Sequence, residues 1–168
     1  MTEVITSITQ FFFSVEKQDV REVFTRVISS LEAPGVNIRV EVQGLCIYAD
    51  LLFEKVCYNL IENATHHGEH TTEIIISTQK IPTGVRVSVK DNGAGIPEAE
   101  KQIIFEKGYG KNTGFGLFLT REILSLSNIH IRELVYPDLT PGLTWTFLKT
   151  MSDSSPRIKT PIRKDNHF

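Results

Sequence analysis

The sequence lacks the features that mark membrane, secreted and nucleic-acid-binding proteins. No apolar run among its 168 residues reaches the length that spans a bilayer. The apolar start, MTEVITSITQFFFSV, has neither a basic segment nor a small-residue cleavage site, so it does not fit a secretory signal peptide. The formal net charge is only -2, which gives no support for binding to nucleic acid or to an anionic membrane surface. We therefore expect no nucleic-acid partner and no membrane contact by this chain.

Cysteine is scarce as well. Cys46 and Cys57 are the only two, and both stand in apolar stretches. Two such residues favour small core side chains over a disulfide framework or a metal site. The composition therefore predicts a reducing, cytoplasmic location.

What the sequence does contain is ordinary globular material, with 40% apolar and 23% charged residues. That length and composition predict one domain with short flanks. We place the domain at residues 19–149, after the end of a helical segment or linker at 1–18. Residues 150–168 are rich in Ser, Pro, Lys and Arg and predict a disordered tail.

Hydrophobic periodicity predicts alternating helices and strands across this domain. Helices are predicted at 19–31, 51–66 and 115–126, with a short helical stretch at 98–105 and a further one at 4–15. Strands are predicted at 36–42, 45–48, 73–79, 85–91, 129–135 and 143–149. These elements predict an α+β fold, a two-layer sandwich whose mixed, mainly antiparallel sheet carries its helices on one face.

The first segment that could carry chemistry is the helix EKVCYNLIENATHHG. Asn59 and Asn63 are four residues apart and share one helical face, with His66 near the same stripe. Two amides in an otherwise apolar helix are costly unless something satisfies them. Either they bond to backbone, or they offer oxygens to a hydrated Mg²⁺.

The second segment is VSVKDNGAGIP, in which a strand ends at Asp91 and a glycine-rich turn follows. The Asp91 carboxylate is placed to accept a hydrogen bond from an exocyclic amine such as that of adenine. Gly93 and Gly95 allow the backbone to approach a flat ligand. The alternative is a plain Asp-Asn-Gly turn.

The third segment, EKGYGKNTGFGLFLTREIL, is a glycine-rich loop that opens a helix. Gly108, Gly110, Gly114 and Gly116 would expose backbone N–H groups that suit phosphate, and Lys107 and Lys111 would add cations. The segment matches neither the P-loop nor the dinucleotide-binding pattern. A flexible surface loop is the alternative.

Together, and in this order, the segments strongly resemble the ATP-binding domain of sensor histidine kinases. That domain belongs to the gyrase, chaperone and histidine kinase ATPase superfamily and has the Bergerat-type fold. The resemblance covers roughly residues 19–149: NLIENA resembles the N box, DNGAGIP the G1 box, IFEKGYG the F box and lid, and TGFGLFL the G2 box. It is nearest in character to archaeal PAS-type sensor kinases, which also have short lids.

The resemblance implies a role for each matching residue. Asn59 and Asn63 would be catalytic, with Asn63 binding Mg²⁺ and Asn59 contacting the phosphate region. Asp91 would accept from the adenine amine. The remaining nucleotide contacts would come from His66, Gly93, Gly95, Ile96, Phe105, Lys107, Gly108, Tyr109, Gly110, Lys111, Gly114, Gly116 and Leu117. His66 stands where the family often has Lys, so it either touches phosphate or lies on the surface.

The family's acceptor histidine is missing from this sequence. The five histidines, at 66, 67, 70, 130 and 167, all lack its context of a following acid and a later Asn or Thr with Pro. We therefore expect ATP and Mg²⁺ to serve a reaction whose acceptor lies on a helical dimerisation domain outside this chain, with a response regulator downstream. Either the chain is cut from a larger kinase, or it acts in trans.

Three other functions share this fold. ATP-hydrolysing relatives place Glu one turn before the Mg²⁺ ligand, where this sequence has Asn59, so hydrolysis should be slow. Anti-sigma serine kinases have a similar length and N box, but their G2 region differs from TGFGLFLTREIL. A nucleotide-sensing module without catalysis is the third alternative.

Overall fold

A computed structural model describes residues 15–67, 70–82, 84–97, 99–101, 103–109, 115–133 and 144–150. Its three helices are α1 (Val20–Ser30), α2 (Phe53–His67) and α3 (Gly116–Leu126). Its seven strands are β1 (Val15–Asp19), β2 (Asn37–Glu41), β3 (Cys46–Asp50), β4 (Glu73–Ile81), β5 (Gly84–Asp91), β6 (Ile129–Glu133) and β7 (Thr144–Thr150). None of the helices in these ranges is long and apolar enough to cross a membrane.

The strands form a large mixed sheet and a small antiparallel one. The large sheet has the order β2-β4-β5-β7-β6, in which only the β2–β4 pair is parallel. The small sheet pairs β1 with β3. The last of the described strands, β7, therefore lies between two earlier ones.

A single apolar core joins the helices to the large sheet. α1 begins at an N-cap, where the Asp19 carboxylate accepts from the Glu22 amide at 3.1 Å. The fully buried Phe24 and Phe53, from α1 and α2, meet Ile74 and Ile76 of β4 in this core. The predicted α+β sandwich is confirmed.

The register of β5 positions a charged residue beneath the helices. Val85, Val87 and Val89 are buried on the core face, because alternate residues of a strand point to the same side. Asp91 continues this series at the end of the strand and is only 2% exposed. Since α2 packs against β5, the Asp91 carboxylate is buried on the side of the sheet that faces the helices.

Three sequence predictions need correction. Residues 15–18, expected in a linker or helix, pair with β3, which is a backbone contact that the sequence VEKQD does not signal. Residues 99–101 and 103–109 form successive turns instead of a helix, with one i→i+4 bond from Ile104 to Glu100, since so short a segment nucleates poorly. Thr150, assigned to the tail, pairs with Gly84. The other parts of the predicted 4–15 helix and of the tail lie outside the described residues.

Candidate functional site

Asn59 ties α2 to α3. Its side-chain nitrogen donates to the Gly116 carbonyl at 3.1 Å and to the Thr120 hydroxyl at 3.3 Å. Asn59 is 3% exposed and Thr120 is fully buried. A buried amide needs such partners, so Asn59 has a structural task at the helix contact.

Asn63 lies one turn further along the same face. Its side-chain nitrogen donates to the Asn59 carbonyl at 2.7 Å, which holds the amide in one orientation. The side chain is half-buried, and no donor among the described residues bonds to its oxygen Oδ1. That oxygen is therefore available to a cation.

The N-terminus of α3 faces Asn63. A Cβ added at Gly116 would stand 4.0 Å from the Asn63 side-chain nitrogen. Because Gly116 has no side chain, the backbone of α3 lies next to Asn63. Phe115 occupies the N-cap and supplies no side-chain hydrogen bond. The first backbone N–H groups of α3 therefore have no side-chain cap, and such groups bind anions.

Asp91 begins the glycine-rich turn that follows β5. Its Oδ1 accepts from the backbone N–H of Gly93 at 2.8 Å, which orients the buried carboxylate. A carboxylate can accept several hydrogen bonds, so this contact is compatible with a further donor. Gly95 has φ +75°, a backbone conformation that favours glycine, and Ile96 packs partly buried against the core.

Asn92 anchors this turn to the start of β4. Its side-chain oxygen accepts from the backbone N–H groups of Thr72 and Glu73, both at 3.0 Å, and its nitrogen donates to the Thr72 hydroxyl at 2.9 Å. From the sequence, Asn92 was predicted only as a turn residue. Thr120 was not predicted as the partner of Asn59, although its position four residues after Gly116 on a helix was a usable signal.

The segment before α3 carries the predicted F-box residues. Phe105 and Tyr109 pack partly buried against the core, and the Arg121 guanidinium lies 6.0 Å from the Phe105 ring centre. The Lys107 ammonium lies 5.6 Å from the ring centre of Phe115. Gly108 has φ +85°, and a Cβ added there would meet no heavy atom within 4 Å. This segment therefore contacts α3 through Arg121 and through its N-cap residue Phe115.

The acidic side chains of α2 interact with residues other than the two asparagines. Glu62 accepts from the Tyr58 hydroxyl at 3.3 Å, and its charge raises the pKa of Tyr58. Glu54 forms an ion pair with Arg26 at 3.1 Å. Neither carboxylate lies one helical turn before Asn63, where ATP-hydrolysing relatives place their base; Asn59 occupies that position here.

The structure brings some of the predicted site residues together. Asn59, Asn63 and Gly116 meet at the α2–α3 contact, and Leu117 packs partly buried beside them in the first turn of α3. Gly110, Lys111 and Gly114 lie outside the described residues. The backbone of His66 is in α2, but the structure does not describe its side chain.

Comparison with known proteins gives the family. The family described as histidine kinase-, DNA gyrase B-, and HSP90-like ATPases matches this chain over residues 49–154, which span α2, the glycine-rich turn and α3. The chain belongs to this ATPase family. The stretch that matches includes every residue that forms the α2–α3 contact and the Asp91 turn.

Curated relatives of this ATPase domain are named as sensor proteins and sensor histidine kinases. The sensor protein IrlS of Burkholderia pseudomallei is 31% identical over 103 residues, covering 55% of this chain and 22% of IrlS. The sensor protein KdpD of Escherichia coli is 30% identical over 128 residues, covering 68% of this chain and 14% of KdpD. The matched region is thus a small part of each relative.

Solved structures show the same fold. The mycobacterial sensor histidine kinase MprB aligns with a TM-score of 0.71 at 19% identity, covering 82% of this chain and 100% of the MprB chain. The catalytic domain of histidine kinase ThkA aligns with a TM-score of 0.67 at 26% identity, covering 80% of this chain and 93% of that one. The likeness to archaeal PAS-type kinases stays a prediction, since the relatives named here are bacterial.

Proposed function

We propose that this chain is the ATP-binding catalytic part of a two-component sensor histidine kinase. It would transfer the γ-phosphate of ATP to a histidine on a helical dimerisation domain. The observation that carries the proposal is the position of Asn63, whose amide is fixed by Asn59 and lies against the uncapped N-terminus of α3. The side-chain oxygen of Asn63 and the first backbone N–H groups of α3 would together suit a metal-bound polyphosphate.

The adenine end of the nucleotide would lie at the Asp91 turn. The carboxylate, oriented by the Gly93 amide, would accept from the adenine amine. Ile96 offers an apolar surface to the base, and Gly95 lets the backbone pass close to it. The Asn92 bonds to Thr72 and Glu73 would keep this turn in place before the nucleotide arrives.

The residues present fit Mg²⁺. In the described part of the chain there is no group of three or more His, Cys, Asp or Glu side chains that could hold a metal. Mg²⁺ keeps several waters and accepts few protein ligands, so the single oxygen of Asn63 would suffice beside substrate phosphates. When bound, Mg²⁺ would neutralise charge on the phosphates during transfer.

The chain's own residues would bind and orient the substrate. The N–H groups of Gly116 and Leu117 would hold phosphate, and Lys107 would add positive charge from the neighbouring segment. Gly110, Lys111 and Gly114 would extend this cradle, and His66 would supply a further contact. Asn59 stands one turn before Asn63, where ATP-hydrolysing relatives place Glu, and an amide cannot activate water as a base, which favours transfer over hydrolysis.

The names of the relatives favour histidine over serine as the acceptor, since several are called sensor histidine kinases. The chain spans between 11% and 26% of the length of these relatives, so the remaining parts of a kinase would be supplied by other segments. A related structure shows histidine kinase ThkA in complex with the response regulator TrrA, at 21% identity. We expect a helical acceptor domain and a response regulator as partners here. Two free cysteines and the use of ATP favour the cytoplasm.

A transfer assay tests the proposal. The chain is incubated with γ-labelled ATP, Mg²⁺ and a helical domain that carries an acceptor histidine. We expect labelled acceptor whose phosphate is labile in acid and stable in base. Transfer to a serine of an anti-anti-sigma partner, or rapid release of free phosphate alone, would contradict the proposal.

Two variants and one control locate the reaction. Asp91→Ala and Asn63→Ala should both abolish labelling, because one removes base recognition and the other the cation ligand. Asn37→Ala, at an exposed position in the edge strand β2, should label normally. Normal nucleotide binding by both site variants would show that the site is elsewhere.

A further inference from the structure

An exposed apolar patch surrounds Asp50, away from the asparagine site. Leu51 and Leu52 follow Asp50 directly, and they are 56% and 51% exposed. Val15 is the cross-strand partner of Asp50 and is 47% exposed. Three large apolar side chains are thus exposed where β1 begins and β3 ends.

α3 adds a fourth side chain to this surface. The Asp50 backbone N–H donates to the Ser127 hydroxyl at 3.0 Å, which brings the end of α3 to the end of β3. Leu126, next to Ser127, is 44% exposed. We call Val15, Leu51, Leu52 and Leu126 the Asp50 patch. Since α3 has 11 residues, it separates the patch from Gly116 by roughly 16 Å.

The Asp50 carboxylate beneath this surface is incompletely satisfied. Its Oδ1 accepts from the Leu52 backbone N–H at 2.9 Å. Its Oδ2 is buried and has no hydrogen-bond partner among the described residues. A buried carboxylate oxygen without a donor is costly, so a donor is expected nearby. The same place therefore needs both an apolar cover and a hydrogen-bond donor.

We propose that residues 1–14 pack back onto the Asp50 patch. These residues are covalently joined to Val15, which is itself part of the patch. They carry bulky apolar side chains at Val4, Ile5, Ile8, Phe11, Phe12 and Phe13, and hydroxyl donors at Thr6, Ser7, Thr9 and Ser14.

Distance and local concentration both favour this occupant. Phe11, Phe12 and Phe13 stand within four residues of Val15, a reach of at most about 14 Å for an extended chain. A tethered segment meets its site at a high effective concentration, so it outcompetes a second copy of the chain in dilute solution. Apolar clusters that stay open to water are uncommon on soluble proteins, which makes a cover expected.

Photo-crosslinking in the full chain tests the proposal. Benzoylphenylalanine replaces Leu51, and after irradiation the cross-linked peptides are identified by mass spectrometry. We expect an intramolecular product with residues 1–14 whose yield does not depend on protein concentration. The matched control carries the photoprobe at Leu119, which is 38% exposed at the opposite end of α3 and should not reach residues 1–14. A product joining two copies, or none that contains residues 1–14, overturns the proposal.

A coupling measurement gives a second readout. Leu51→Ser alone and the triple variant Phe11→Ser, Phe12→Ser, Phe13→Ser should each lower Tm by about 2–4 °C. The combined variant should lower Tm by clearly less than the sum of the two separate losses, because both changes remove the same contact. A fully additive loss, or no loss from either, overturns the proposal. Neither readout involves ATP, so this proposal and the proposed function fail independently.

Discussion

Asn63 donates its side-chain amide to the Asn59 carbonyl at 2.7 Å, while Asn59 donates its own amide across to Gly116 at 3.1 Å. The two asparagines look equivalent in sequence, but they make different contacts in the structure. The Asn59 amide nitrogen donates to Gly116 and Thr120 of α3. Asn63 has an oxygen to which no described donor bonds. We therefore expect their substitutions to fail in different ways.

Asn59→Ala should destabilise the fold. The change removes two hydrogen bonds and leaves the Thr120 hydroxyl and the Gly116 carbonyl short of a buried donor. We expect the free energy of unfolding to fall by about 1–3 kcal/mol, measured by urea denaturation. Asn37→Ala, on an exposed surface, should stay within about 0.5 kcal/mol of the parent. An unchanged Asn59→Ala would mean that the amide is not needed to join the helices.

Asn63→Ala should impair binding more than folding. Its one hydrogen bond within the described residues lies inside its own helix, and its side chain is half-buried, so stability should change by less than about 1 kcal/mol. In the presence of Mg²⁺, the Kd for ATP should rise at least about tenfold by calorimetry, equivalent to about 1.4 kcal/mol. In EDTA the variant and the parent should bind alike. An equal loss in EDTA would show that Asn63 acts without the metal.

Two glycine substitutions should separate strain from contact. Gly95→Ala places a side chain at φ +75°, so the fold should lose about 1–2 kcal/mol. Gly116→Ala should stay within about 1 kcal/mol of the parent, because its Cβ would meet only an ordinary contact at 4.0 Å from Asn63. Yet ATP affinity should fall, since the new methyl group lies at the N-terminus of α3. Unchanged affinity of Gly116→Ala would argue against phosphate at this helix end.

The two cysteines should differ in reactivity. Burial raises the pKa of the Cys57 thiol, and the Glu54 carboxylate adds to this effect, so the reactive thiolate is suppressed in the folded state. Cys46 is only half-buried. With a thiol reagent at pH 8, Cys46 should react first and Cys57 only on unfolding. The Cys46→Ser variant isolates Cys57, and fast reaction of its remaining thiol would contradict the burial.

The folded thiol also makes stability depend on pH. Because the folded pKa of Cys57 lies above its unfolded value, its contribution to stability is complete below the unfolded pKa and is lost as pH rises toward the folded one. Unfolding of the parent should therefore become easier above about pH 8.5. Cys57→Ala, compared at the same pH values, should show a weaker decline.

Much of the fold could be predicted because its strands and helices carry clear periods. The alternation of Val85, Val87 and Val89 in β5 even predicts that Asp91 faces the core. β1 could not be predicted in this way, since VEKQD has no apolar alternation and its strand conformation comes from pairing with β3. Helical spacing placed Asn59 beside Asn63, but only the tertiary structure shows that Thr120 and Gly116 claim the Asn59 amide.

The place of β7 in the sheet has a consequence for synthesis on the ribosome. β7 is last in chain order among the described strands, yet it lies between β5 and β6 and hydrogen-bonds to both. Until Thr150 has been made, β5 and β6 each present an open edge, and open edges invite pairing with other chains. At ordinary translation rates the stretch from Asp91 to Thr150 takes on the order of 3–12 s. For that interval the nascent chain would depend on chaperones to keep its half-built sheet from aggregating.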